Sequence, residues 1–277
     1  MKKKLIRPSS IARHAVLIVV AATALFPFIF MFLSSLKAKA EYYVNLLGFP
    51  KNPTFWNYEL LFDRYDVGRM LLNSAVVNVI AVLAVMFLSS MMAYVFVKFP
   101  TKFGSRVTSL FISSMTIPPI VILIPIFMMM AKLNLVNNYL SLILVYIVLI
   151  MPFSLYYTTT VMKSIPDACI ESAMIDGAGV FKTYQFIAFP MMRPLLLPLV
   201  TVNFLWCWNE FLYALLLLQT NEMRTMTVGV ATILGKTTTN MPLMNAGLLL
   251  NSLPVILVFA FTQKYFMKGF TAGAVKE

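Results

Sequence analysis

The chain reads as an all-α integral membrane protein with six transmembrane helices, and three observations point there. Hydrophobic residues make up 60% of its 277 residues and charged residues only 12%, against roughly 25% charge in a soluble domain. Mean hydropathy is +0.85. The apolar residues also fall in long continuous runs, which in lipid select helices over a barrel of alternating strands. Net charge is +12, but the basic residues sit at the ends of the apolar runs. That pattern controls topology rather than binding phosphate, so membrane lipid is an expected partner and nucleic acid is not.

Six segments are long enough to cross about 30 Å of hydrocarbon at about 1.5 Å per residue: 15–36, 70–97, 107–131, 139–162, 194–218 and 243–265. Six crossings put both termini on one side. Fourteen of the 22 basic residues lie on that side: Lys2, Lys3, Lys4, Arg7, Arg13, Lys98, Lys102, Arg106, Lys163, Lys182, Arg193, Lys264, Lys268 and Lys276. Eight lie on the other, Lys37 and Lys39 among them. The positive-inside rule therefore places in the cytoplasm both tails, 1–14 and 268–277, and the connection 163–193 within the membrane domain 15–267. Lys2, Lys3 and Lys4 ahead of an apolar run, with Ala38-Lys39-Ala40 after it, imitate a signal peptide. The run is too long for a signal h-region, so an uncleaved first span is expected. Cys169 in the connection and Cys207 in the fifth span cannot pair, which excludes a disulfide framework.

Motifs for chemistry fail. The stretch from Gly229 through Gly235-Lys236-Thr237 nearly spells a phosphate loop, but its first glycine stands one residue early. Gly177 and Gly179 open a GxGxxG pattern whose third glycine is Lys182. The single histidine, His14, lies at a membrane boundary, where an interfacial side chain is the plain reading. Twenty methionines, as in Met91-Met92 and Met128-Met129-Met130, suit flexible helix packing better than soft-metal handling. No catalytic residue, cofactor or metal site is expected, and the chain is not expected to be an enzyme.

The connection is the informative polar segment. Ser164, Pro166 and Asp167 resemble a helix start close to a capping box. Ile170, Ala173, Met174 and Gly177 then share one face, with Glu171 and Asp176 off it. Gly177 and Gly179 break this helix; a second runs through Phe181, Tyr184 and Ile187 until Pro190 and Pro194 end it and begin the fifth span. Two readings stand from the pattern: a docking element, or a connector lying on the membrane surface.

Within the spans, Glu210 is the only acid. A charge there is costly, so it is expected to face a bundle interior or watery cavity. Asn209 beside it adds hydrogen-bonding capacity, and Trp206 and Trp208 either offer aromatic faces for stacking or anchor packing. These four are the candidate pathway residues; an interfacial pair is the alternative for Glu210. Pro118, Pro119 and Pro125 predict a bend in the third span, and Pro254 beside Asn251 marks the sixth.

A family resemblance now enters. Glu171-Ser172-Ala173, three residues, Gly177, nine residues, Ile187, one residue and Phe189-Pro190 resemble the EAA signature of ABC importer permeases, with Ser172 for alanine and Phe189 for leucine. Trp208-Asn209-Glu210-Phe211 is similar to the family's fifth-span pattern, and Gln263-Lys264-Tyr265-Phe266 through Gly273-Ala274-Val275-Lys276 to the end of maltose-type, MalG-like subunits.

The resemblance implies a type I ABC importer fold in the bacterial inner membrane, with the connection as a cytoplasmic coupling helix. It carries to Glu171, Ser172, Ala173, Asp176, Gly177, Ile187 and Pro190 the role of contacting a separate ATPase. Gly177 supplies the tight turn. The implied partners are a homologous MalF-like permease, a cytoplasmic ABC ATPase dimer that uses ATP-Mg, and an extracytoplasmic solute-binding protein touching the outer loop 219–242, notably 235–239. The implied cargo is a carbohydrate. The alternative is an ion-gradient-driven secondary transporter, which would need coupling carboxylates in several spans.

Overall fold

The computed structural model describes residues 8–236 and 240–274, and no strand occurs among the described residues. The α-helices run in chain order as α1 (Pro8–Ser35), α2 (Lys39–Val44), α3 (Trp56–Tyr65), α4 (Val67–Lys98), α5 (Lys102–Ser114), α6 (Leu123–Lys132), α7 (Tyr139–Lys163), α8 (Asp167–Ile175), α9 (Val180–Thr183), α10 (Phe189–Asn209), α11 (Leu212–Leu217), α12 (Met226–Lys236) and α13 (Met241–Ala274). Among the described residues, five helices are long and apolar enough to cross a membrane: Arg13–Ser35, Val67–Lys98, Tyr139–Lys163, Val180–Asn209 and Met241–Tyr265. A bent pair, Lys102–Ser114 with Pro119–Lys132, makes the sixth.

Three expectations change. The third span is not one helix, because its halves meet at 95°. Pro118 is extended at the break, and Pro119 opens a short 3-10 turn to Ile122; a residue before proline is pushed out of the helical region. The helix after Gly179 is not ended by Pro190. It runs on into α10 through a π turn, Tyr184–Ala188, in which the Phe189 N–H donates to the carbonyl of Tyr184 five residues back. Proline donates no N–H of its own, and such widened turns recur where the helix ladder is disturbed. The segment 219–242 is not simply a loop: α12 lies inside it, with Met226 and Val228 fully buried and Val230 at 4% exposure. Residues 237–239, and with them most of 235–239, lie outside the described residues, as do 1–7 and 275–277 of the two tails.

The chain packs as two units. One comprises the chain up to Val67 with Val230–Leu253. There the end of α1 is tied to α3: Ser35 Oγ and Tyr58 Oη are 2.7 Å apart, and the buried Asn57 amide donates to the carbonyls of Ser35 at 2.8 Å and Lys37 at 3.0 Å. Lys37 is fully buried rather than a surface topology charge, its Nζ donating to the carbonyls of Asn45 at 2.6 Å and Leu46 at 3.1 Å. A buried ammonium must find such acceptors or carry a large desolvation cost.

The other unit comprises Gly68–Gly229 and the chain from Pro254. Buried polar bridges join its helices. Thr158 Oγ1 donates to the Ser89 carbonyl at 3.1 Å, and Asn203 Nδ2 to Ser154 Oγ at 2.8 Å. Between apolar helices in lipid, such bonds and close packing supply much of the adhesion.

Candidate functional site

The polar connection forms a compact turn. Ser164 closes α7, its Oγ donating to the Val161 carbonyl at 2.7 Å, so the expected capping box is not made. α8 ends in a Schellman turn. The Gly177 N–H reaches the Met174 carbonyl at 3.1 Å and the Ala178 N–H the Ala173 carbonyl at 3.0 Å, with Gly177 at φ 85°. That left-handed position is open to glycine at little cost, so Gly177 makes the turn. Ile170 and Ala173 are buried, while Glu171, Ser172 and Asp176 are exposed. Apolar side chains stand out beside them: Ile175 is 85% exposed and Phe181 59%. Ile187 and Pro190 lie further on, along the helix that leads into the fifth span.

Both ends of the connection are held by α4. Lys98 Nζ donates to Asp167 Oδ1 and to the Ile165 carbonyl, each at 2.6 Å. Ser90 Oγ and Tyr184 Oη lie 2.7 Å apart in a buried contact, and the rings of Tyr94 and Phe189 pack on Tyr184 at 5.5 and 5.9 Å. Sequence reasoning missed Ser90, and it saw Lys98 only as a topology charge; a contact across 94 positions leaves no local signal.

The second site is the break in the fifth span. α10 stops at Asn209, Glu210 is extended, and the chain resumes as α11. Glu210 Oε1 accepts from the Tyr213 N–H at 2.9 Å, while Oε2 accepts from the Ala214 N–H and Tyr146 Oη, both at 3.1 Å. The Trp208 carbonyl accepts from Thr227 Oγ1 at 2.7 Å. Asn78, with its amide oriented to do so, donates to the Phe204 carbonyl at 3.2 Å and accepts from the Trp208 N–H at 3.1 Å. A side chain inserted into the helix ladder is a recognised cause of such breaks. Tyr213 Oη donates to the Pro119 carbonyl at 2.6 Å, tying this break to that of the third span.

Val202, Leu205, Trp206, Asn209 and Glu210 line a concavity of about 540 Å³. Trp206 is 39% exposed there and meets the Tyr146 ring edge-on at 6.4 Å. Trp208 is turned away, 3% exposed and stacked on Phe204 at 5.3 Å. An apolar cavity of about 420 Å³ adjoins, with Pro119, Phe153 and Trp206 in its wall. No group of three or more His, Cys, Asp or Glu that could hold a metal occurs among the described residues.

Six crossings, two of them broken, with a helix–turn–helix connection outside the apolar runs, are the architecture of a multi-pass transport subunit. Residues 85–271 match the family described as the binding-protein-dependent transport system inner membrane component. The chain is 30% identical over 259 residues to the melibiose/raffinose/stachyose import permease MelC of Bacillus subtilis, covering 93% of this chain and 94% of MelC. It is 31% identical over 256 residues to the arabinooligosaccharides transport permease AraQ of the same species, covering 91% and 90%. Its fold matches, with a TM-score of 0.78 over 96% of this chain and 99% of the other at 20% identity, a chain of a bacterial ABC transporter involved in alginate import. The protein belongs to the family of inner-membrane components of binding-protein-dependent transport systems, with the type I ABC importer fold, and is the permease subunit of such an importer.

Proposed function

We propose that this chain forms half of the pathway by which a sugar or oligosaccharide enters a cell at the expense of ATP. The other half is a homologous MalF-like permease. ATP-Mg is bound and hydrolysed by a separate ABC ATPase dimer in the cytoplasm, on the side of both tails and of the 163–193 connection. An extracytoplasmic binding protein delivers the solute on the other side.

The observation that carries this reading is the exposed end of α8. Ile175, beside Asp176, and Phe181, in α9, stand out on a turn that also exposes Glu171. An apolar patch rimmed by charge, outside the spans, fits a protein partner. Closure of the ATPase dimer pushes this element, and the spans respond as a two-state switch biased by nucleotide. The sugar follows from the names of relatives such as MelC and AraQ and from the concavity, where Trp206 offers an aromatic face and Asn209 an amide. Against an ion-driven carrier, both oxygens of Glu210, the only acid in the spans, already accept hydrogen bonds from the protein.

The test is co-purification from detergent with the ATPase. The wild-type chain retains it and Glu171→Lys releases it, while uptake in proteoliposomes requires ATP. Solute uptake along an ion gradient by permeases reconstituted without any ATPase overturns the reading.

A further inference from the structure

α4 touches both faces of the proposed machine. Its inner end, through Lys98 and Ser90, holds the two ends of the connection. Its outer end holds a different segment, the turn from Asn221 into α12. Asn73 Nδ2 donates to the carbonyls of Glu222 at 2.9 Å and Arg224 at 3.0 Å. Tyr139 Oη donates to Asn73 Oδ1 at 2.8 Å, which fixes the amide orientation. Ser74 Oγ accepts the Met226 N–H at 2.7 Å, a donor at the start of α12 with no partner inside that helix. Asn73 and Ser74 are 6% and 3% exposed. At Gly229 a Cβ would run into the Met70 side chain, so α12 approaches α4 closely there.

Between these ends α4 is one unbroken helix of 32 residues, or about 48 Å. Its sequence contains no proline, whereas α1, α7, α10 and α13 each contain at least one and the third span is broken. Proline removes a ladder bond and bends a helix, so α4 is the stiffest crossing element. About a third of the way along α4, Asn78 grips the α10 ladder just before its break.

We propose that α4 is a rod that carries conformational change between the ATPase-facing connection and the outer turn at 221–226, with Asn73 and Ser74 as positioning residues that fix the turn to it. The inference rests on the functional reading above, in which the outer turn faces the binding protein. Displacement of the connection then moves the outer turn as a body, and binding-protein docking on the outside reports to the ATPase by the same rod, because coupling between two sites is reciprocal.

The test uses the assembled importer, with both permeases, the ATPase and the binding protein, in phospholipid nanodiscs. Asn73→Ala and Ser74→Ala each loosen the outer end. Leu83→Gly loosens the middle at a side chain that is 62% exposed and outside both contact sets. Expected for all three is retained ATPase and unchanged basal hydrolysis, with stimulation by saturating binding protein reduced by about fivefold or more for Asn73→Ala, the lower range of ordinary allosteric coupling. Ser74→Ala and Leu83→Gly give smaller losses in the same direction. Where Asn73→Ala fails to assemble, those two decide. Full stimulation in the end variants overturns the rod, and so does loss at the ends with Leu83→Gly unaffected, which confines the effect to the turn. Wild-type permease that binds no ATPase sinks the functional reading instead.

Discussion

Lys98 Nζ sits 2.6 Å from Asp167 Oδ1 and 2.6 Å from the Ile165 carbonyl, so the last residue of α4 grips the entry to α8. The Asp167 side chain is 74% exposed and the Lys98 side chain 5%. Water screens the carboxylate, which leaves the carbonyl bond as the stronger of the two. Lys98→Met is expected to loosen α8 by about 1.5–3 kcal/mol, the range for a hydrogen bond to a charged group. Amide hydrogen exchange across 165–176 then rises by about tenfold or more, while exchange in α7 is unchanged. Equal exchange in wild type and variant contradicts the grip.

Gly177 and Gly179 are separated by conformation. Neither has an atom within 4 Å of an added Cβ, and only Gly177 has positive φ. Gly177→Ala costs about 1–2 kcal/mol through backbone strain alone, and ATPase binding weakens. Gly179→Ala is expected to be neutral or slightly stabilising, since it lowers the entropy of the unfolded chain without strain. ATPase titration of the two variants checks this; a larger loss at Gly179 overturns it.

Glu210 is a helix cap before it is anything else. Glu210→Ala abandons the Tyr213 and Ala214 N–H groups and Tyr146 Oη, each abandoned buried donor costing about 1–3 kcal/mol. Glu210→Gln keeps one acceptor and loses less. Thermal unfolding in detergent should order the three as wild type, Gln, Ala. An alanine variant as stable as wild type, yet inactive, would make Glu210 a solute contact instead.

The two tryptophans diverge. Trp208→Ala removes a buried ring stacked on Phe204 and costs about 3–5 kcal/mol of stability. Trp206→Ala leaves stability nearly unchanged and raises the solute concentration for half-maximal uptake. Uptake and unfolding measured together separate the effects; unaltered uptake in Trp206→Ala removes that residue from the pathway.

The spans were legible because lipid demands long apolar runs, and the α8 turn was legible because Gly177 sits where a helix must stop. The third-span break was announced as a bend by Pro118 and Pro119. The fifth-span break was not: it carries no proline or glycine and depends on Asn78, Tyr146 and Thr227, which reach it from other helices. Pro190 misled because the π turn before it lets the helix continue. α12 was read as loop because its threonines and glycines mask the buried Met226, Val228 and Val230. The Trp206 and Trp208 environments differ through tertiary packing that neighbouring positions do not encode.

The central claim is that the exposed end of α8 docks a cytoplasmic ATPase. With Cys169 and Cys207 replaced by serine, Ile175→Cys offers one thiol at the most exposed large apolar position of α8. A short bifunctional thiol reagent should join it to a single-cysteine ATPase subunit in the assembled importer, with a yield that changes when ATP is added. Modification of that thiol by a membrane-impermeant reagent from outside intact cells, with no cross-link to the ATPase, would contradict the account.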